Sequence, residues 1–98
     1  MKRYAGARTI DGIAVTVDGA PLDERYDLKR YINSWFEWGY PGDAPRQLAL
    51  ALLADHLGDD SRALALADPF MEAVVAALDN EWELTGDEID RALEDLPV

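Results

Sequence analysis

Glu81-Trp82-Glu83-Leu84-Thr85-Gly86-Asp87-Glu88 is the stretch that decides the fold. Its first five residues alternate polar and apolar, the period of a strand with one buried face. Trp82 and Leu84 then point inward, and Glu81 and Glu83 point to solvent. Its last four residues, from Thr85 to Glu88, match the Ser/Thr-x-x-Glu capping box, which predicts a helix starting directly off the strand. Ile89, Ala92, Leu93 and Leu96 recur at helical spacing and form the inward stripe of that helix.

Partners for the late strand lie at the other end of the chain. Residues 2–19 read as a β-hairpin, with Ile13, Val15 and Val17 alternating and Asp11-Gly12 supplying a tight turn. Asp18-Gly19 closes the second strand, and Pro21 opposes its continuation. Leu22 to Tyr31 fits either a third strand or an irregular crossing segment. Residues 33–45 read as a loop. A helix is predicted over about 44–57, with Asp43 as N-cap and Gly58 as terminator. It is apolar almost all round and so belongs at the centre of the core. Asp59-Asp60-Ser61 opens a second helix ending near Ala67, because Asp68-Pro69 breaks the pattern and caps a third helix over about 69–78. The class is α+β, one domain over residues 1–98: a small antiparallel sheet packed against three to four helices.

Charge is unevenly placed. Residues 1–30 hold six Lys/Arg against five Asp/Glu, whereas residues 31–98 hold three against fifteen, so the net charge of −11 falls on the last two thirds. Such a field opposes direct nucleic-acid binding and anionic membranes, and it attracts basic proteins. Lys2, Arg3, Arg8, Arg25, Lys29 and Arg30 make a weak basic patch at most, diluted by neighbouring acids. With no cysteine, disulfides and thiolate metal sites are excluded. The Met1-Lys2-Arg3-Tyr4 start is not that of a signal peptide, no apolar run reaches membrane-spanning length, and the expected setting is the cytoplasm of a bacterial host. Arg outnumbers Lys seven to two, which fits a GC-rich bacterial or phage genome.

The candidate binding residues are acids. Asp87, Asp90 and Glu94 share one face of the last helix at spacings of three and four, spanning roughly 10 Å, so their carboxylates can stand in for a run of phosphates. Glu81 and Glu83 extend the row from the preceding strand, and Asp59, Asp60 and Glu72 form a second group at the helix junctions. Against this stands the reading of the acids as caps and solvated faces, or as halophilic adaptation. The loop Trp35-Phe36-Glu37-Trp38-Gly39-Tyr40 packs four aromatics into six residues. It is either a lid on the core or an interface anchor. His56, the lone histidine, suits a helix C-terminus, and with no second histidine a zinc site is not expected. No nucleophile, phosphate-loop or metalloprotease motif occurs, so the expectation is a monomeric non-enzyme with no metal and no cofactor.

Tyr4-x-Gly6-x-Arg8, Gly12-Ile13-x-Val15-x-Val17-Asp18-Gly19-x-Pro21-Leu22, Phe36-Glu37-Trp38-Gly39-Tyr40-x-Gly42 and the run from Gln47 to Asp60 carry a resemblance. Over nearly its whole length the chain resembles a family of small prokaryotic and mobile-element proteins of unknown function. The resemblance brings no catalytic residue with it. In type, small acidic cysteine-free chains also resemble anti-CRISPR proteins, several of which mimic DNA. That likeness implies a CRISPR effector as partner, most specifically a type I surveillance complex whose DNA-binding site the acids would occupy.

Overall fold

Ile13, Val15 and Val17 do form the centre of a strand, and the chain folds back on both sides of it. The structure, a computed structural model, describes residues 2–96. β1 (Arg3–Thr9) and β2 (Gly12–Val17) make the expected hairpin. The register pairs Thr9 with Gly12, so Ile10 and Asp11 are the turn residues, one position earlier than the sequence predicts. Asp18 and Gly19 do more than close β2. Their φ values of 50° and 87° are those of a type I′ turn, whose twist matches the flanking strands and sends the chain back as a second hairpin. β3 (Ala20–Pro21) follows and is only two residues long. Pro21 has no N–H to donate, so it suits an edge, and beyond it residues 22–31 run as an irregular segment.

β4 (Glu81–Thr85) completes an antiparallel sheet of order β3-β2-β1-β4. Tyr4 lies between Val17 and Leu84, and Gly6 lies between Val15 and Trp82. Paired residues share a face, so these six point toward the helices. Ala5, Ala7, Thr16, Glu81 and Glu83 occupy the opposite, open face.

α1 (Asp43–Leu57) is the centre of the core, with every residue from Leu48 to Leu53 fully buried. Gly42, not Asp43, is its N-cap; Asp43 is the first helical residue and pairs with Arg46. α2 (Asp60–Ala73) begins at Asp59, whose carboxylate accepts from the Arg62 backbone N–H at 3.1 Å. The predicted break at Asp68-Pro69 does not occur, and the helix runs through Pro69. The reason lies in packing. Ala63, Ala67, Phe70 and Met71 form one buried stripe, and a break at Asp68 would take the two largest of them out of line. The small Ala63 and Ala67 let α2 lie close on α1. Retaining the helix forfeits the bond to the Ala65 carbonyl, a cost of about 3 kcal/mol in an ordinary helix interior. Asp68 is therefore no cap; it joins Arg46 and ties α2 to α1. The expected third helix is the end of α2 followed by a 3₁₀ turn over Val75–Ala77.

α3 (Gly86–Glu94) starts where the capping box places it. Glu88 N–H donates to Thr85 Oγ1 at 3.2 Å, and Thr85 N–H donates to Glu88 Oε1 at 3.0 Å. Ile89 is fully buried, and Leu96 is buried just past the helix end. Among the described residues no helix is long and apolar enough to cross a membrane.

Candidate interaction surfaces

The polar groups that look most like a site turn out to be internal ties. Arg8 projects from β1 toward the aromatic loop. Its Nη2 donates to Glu37 Oε1 at 2.7 Å and to the Trp38 carbonyl at 2.6 Å, and its Nη1 donates to Asn80 Oδ1 at 2.7 Å. The guanidinium lies 4.5 Å from the centre of the Trp38 ring, within cation–π range. Trp38 is fully buried and donates from Nε1 to the Asp79 carbonyl at 2.7 Å. Trp82 meets it edge-on, with centroids 5.7 Å apart. Arg8 thus holds the loop to the sheet and contributes nothing to a basic surface.

Four of the other five cations of the N-terminal third are similarly engaged, and Lys29 is exposed. Lys2 pairs with Asp55 at 3.0 Å, Arg3 with Glu83, and Arg25 with Asp27 at 3.0 Å and Asp60 at 3.5 Å. Arg30 stacks 3.9 Å from the Tyr26 ring centre. Asp55 also accepts from the Tyr4 hydroxyl at 2.6 Å. Burial first, then that hydrogen bond and the charge of Asp55, hold the Tyr4 phenol well above its ordinary pKa. Among the described residues Gln47 is the one buried polar residue, and it is fully used: Nε2 donates to the carbonyls of Glu24 and Lys29 at 2.8 and 3.0 Å, and Oε1 accepts from Tyr31 N–H at 2.8 Å. It pins the irregular segment to α1, a role its sequence context does not announce.

All eight predicted acids are exposed: Asp59, Asp60, Glu72, Glu81, Glu83, Asp87, Asp90 and Glu94. The structure divides them into three places. Asp90 and Glu94 of α3 line a cleft of about 410 Å³ with Leu57 and Arg62, which sets the α3 row beside the α1–α2 corner where Asp59 and Asp60 stand. Asp87 lies one turn back along the same helix. Glu72 stands apart, about 18 Å from Asp60 along α2. Glu81 and Glu83 lie on the open sheet face, so they continue the row in sequence but belong to another surface. Three of the acids have partners: Asp90 Oδ1 is 2.6 Å from His56 Nε2, Glu83 pairs with Arg3, and Asp60 with Arg25 at 3.5 Å. Asp59 is also the α2 cap. His56 is half-buried beside α3 and serves that contact.

The aromatic loop is split. Phe36 and Trp38 are 4 % and 0 % exposed and belong to the core, whereas Trp35 is 66 % and Tyr40 47 % exposed. The lid reading therefore holds for Phe36 and Trp38, and Trp35 and Tyr40 are left on the surface. Among the described residues no three His, Cys, Asp or Glu side chains converge on a point that could hold a metal ion.

The fold and its surfaces define a small acidic α+β protein, sheet on one side and helices on the other. It belongs to a family of unknown function, DUF6166, whose family model matches residues 4–95. No curated protein and no solved structure matches the chain.

Proposed function

We propose that the protein is a non-catalytic inhibitor whose acidic helical end docks on a basic, nucleic-acid-binding surface of another protein. A type I CRISPR surveillance complex is the first case to examine. The observation that carries this reading is the meeting of two acid groups around one cleft: Asp90 and Glu94 line it, with Asp87 behind them and Asp59 and Asp60 at the adjoining corner. Arg62 lines the same cleft and Arg25 pairs with Asp60 at the corner, and a net charge of −11 adds long-range steering toward a basic partner. Carboxylates at this spacing would replace phosphates, with an affinity that falls as salt rises.

The test is target-DNA binding by a purified type I surveillance complex, with and without the protein, at two salt concentrations. Inhibition that weakens with salt and is lost on Asp87→Lys/Asp90→Lys/Glu94→Lys, with an unchanged circular dichroism spectrum, supports the reading. Inhibition that survives the triple reversal, or no inhibition at either salt, refutes it.

A second reading has one specific observation in its favour. A tryptophan 66 % exposed, with a half-exposed tyrosine in the same loop, is the composition of an interface anchor. On this reading the chain is a protein-binding module that uses Trp35 and Tyr40.

A further inference from the structure

Beside Trp35 the sheet has an unfinished edge. Asp18 N–H donates to the Arg3 carbonyl at 2.9 Å, so by antiparallel alternation residues 12, 14, 16 and 18 of the hairpin bond toward β1. Ile13, Val15 and Val17 therefore present their N–H and C=O groups to the other side. β3 pairs with Val17 and Thr16 only, and Leu22 N–H reaches the Val15 carbonyl at 3.0 Å. There the chain leaves the sheet. Ile13 has no strand beside it among the described residues, and its N–H and C=O lie open along the edge.

That edge opens on a groove of about 330 Å³, lined by Ile13, Val15, Leu22, Phe36, Trp35 and Glu24. Its walls are mainly apolar side chains, with Thr16 and Glu24 the polar ones. The Glu24 backbone is fixed, since its carbonyl accepts from Gln47 at 2.8 Å. Its residue is half-buried, yet its carboxylate has no ion-pair partner among the described residues, where Lys2, Arg3, Arg8, Arg25 and Arg46 are all engaged elsewhere. A carboxylate set in an apolar groove without a cation is complementary to a ligand that brings one.

We propose that this groove binds an extended peptide segment of a partner protein by strand addition, with an apolar residue seated against Trp35 and a Lys or Arg meeting Glu24. The proposal rests on the second reading above and names its ligand class. The backbone of the segment would pair with Ile13, and alternate side chains would turn into the groove. A second copy of this chain is a poor occupant, because each copy carries a net charge of −11 and would bring more acid to the Glu24 wall.

The experiment is a selection of random dodecapeptides on the full chain, followed by affinity measurement of the enriched peptides on variants. Expected are peptides with alternating apolar residues and at least one Lys or Arg. Their affinity should fall roughly tenfold or more on Trp35→Ala and about three- to tenfold on Glu24→Gln. Glu72→Gln, the same charge change on a remote surface, should leave it unchanged. The Ile13 amide should gain hydrogen-exchange protection in the complex. No enrichment, or enriched peptides indifferent to both groove variants, overturns the proposal. Dependence on Trp35 with no effect of Glu24→Gln and no protection at Ile13 also overturns it, while leaving the aromatic-surface reading intact. Self-association of the chain abolished by Trp35→Ala would assign the groove to a second copy and overturn the peptide ligand.

Discussion

Gly6→Ala should be among the most damaging single-methyl changes this chain can suffer. Gly6 sits opposite Trp82, and the indole crosses directly over its Cα on the helix-facing side of the sheet. A Cβ at Gly6 would stand 2.4 Å from Trp82 Cε2 and Nε1 and 2.5 Å from Cζ2. Restoring ordinary contact requires the ring to retreat by about 1 Å, given carbon separations of about 3.5 Å at the van der Waals optimum. It has nowhere to go. Trp38 blocks it edge-on at 5.7 Å, and Arg8 stacks on Trp38 at 4.5 Å with its hydrogen bonds fixed to Glu37 and Asn80. Overpacking of this kind costs about 1–3 kcal/mol, and the rigid layers behind the ring place Gly6→Ala at the upper end. Urea denaturation should show the midpoint lowered by about 1–2 M, for a slope near 1–2 kcal/mol per molar. Trp82→Phe in the Gly6→Ala background should recover more than about 1 kcal/mol relative to additivity, because the smaller ring vacates the clash. It also removes the Trp82 N–H, which is buried without a hydrogen-bond partner among the described residues. A Gly6→Ala variant within about 0.5 kcal/mol of the parent, or a strictly additive double variant, would refute the stacked arrangement.

Three further outcomes follow from the same structure. Gln47→Leu should cost about 2–4 kcal/mol, since it orphans Tyr31 N–H and the carbonyls of Glu24 and Lys29, and hydrogen exchange should localise the loosening to residues 24–31. Tyr4→Phe should lose about 1 kcal/mol near neutrality but outlast the parent in alkali. The folded phenol has a raised pKa, so its contribution is complete below the unfolded value near 10 and declines by about 1.4 kcal/mol per pH unit above it; urea midpoints of the two proteins should cross near pH 11. Pro69→Ala should raise stability by about 1–2 kcal/mol, because it restores an N–H for the Ala65 carbonyl inside α2; a lower thermal midpoint would contradict the helix as described.

What could be read from the sequence was whatever neighbours in the chain decide. The alternation around Val15, the apolar run of α1 and the Thr85–Glu88 box are local patterns, and each became the element it predicts. Pro69 misled because burial of Phe70 and Met71 against α1 outweighs a local helix breaker. The two-residue β3 escaped because its turn geometry, and not its apolar pattern, creates it. Exposure of the acids was legible from periodicity, but their pairing was not. His56 meets Asp90 across 34 positions, and Arg3 meets Glu83 across 80. The aromatic loop has no periodicity at all, so nothing local distinguishes Trp38, held by Asp79 and Arg8, from Trp35 in solvent.

The residues that carry the family resemblance explain the fold more than they point to a task. Tyr4 and Asp55 join β1 to α1, Arg8 and Glu37 join β1 to the aromatic loop, Gly6 admits Trp82, and Gln47 fastens the irregular segment. Each is spent on an internal contact and has little left to offer a ligand. The groups still open to solvent are of another kind: the α3 carboxylates, the Trp35 face and the backbone of Ile13. Charge steers but tolerates many geometries, whereas an open strand edge with one apolar anchor demands register. A chain using both would approach a basic partner quickly through its acidic end and commit slowly through the groove. The two contributions separate by salt. Raising ionic strength should slow association with little effect on dissociation, and Trp35→Ala should speed dissociation at every salt concentration.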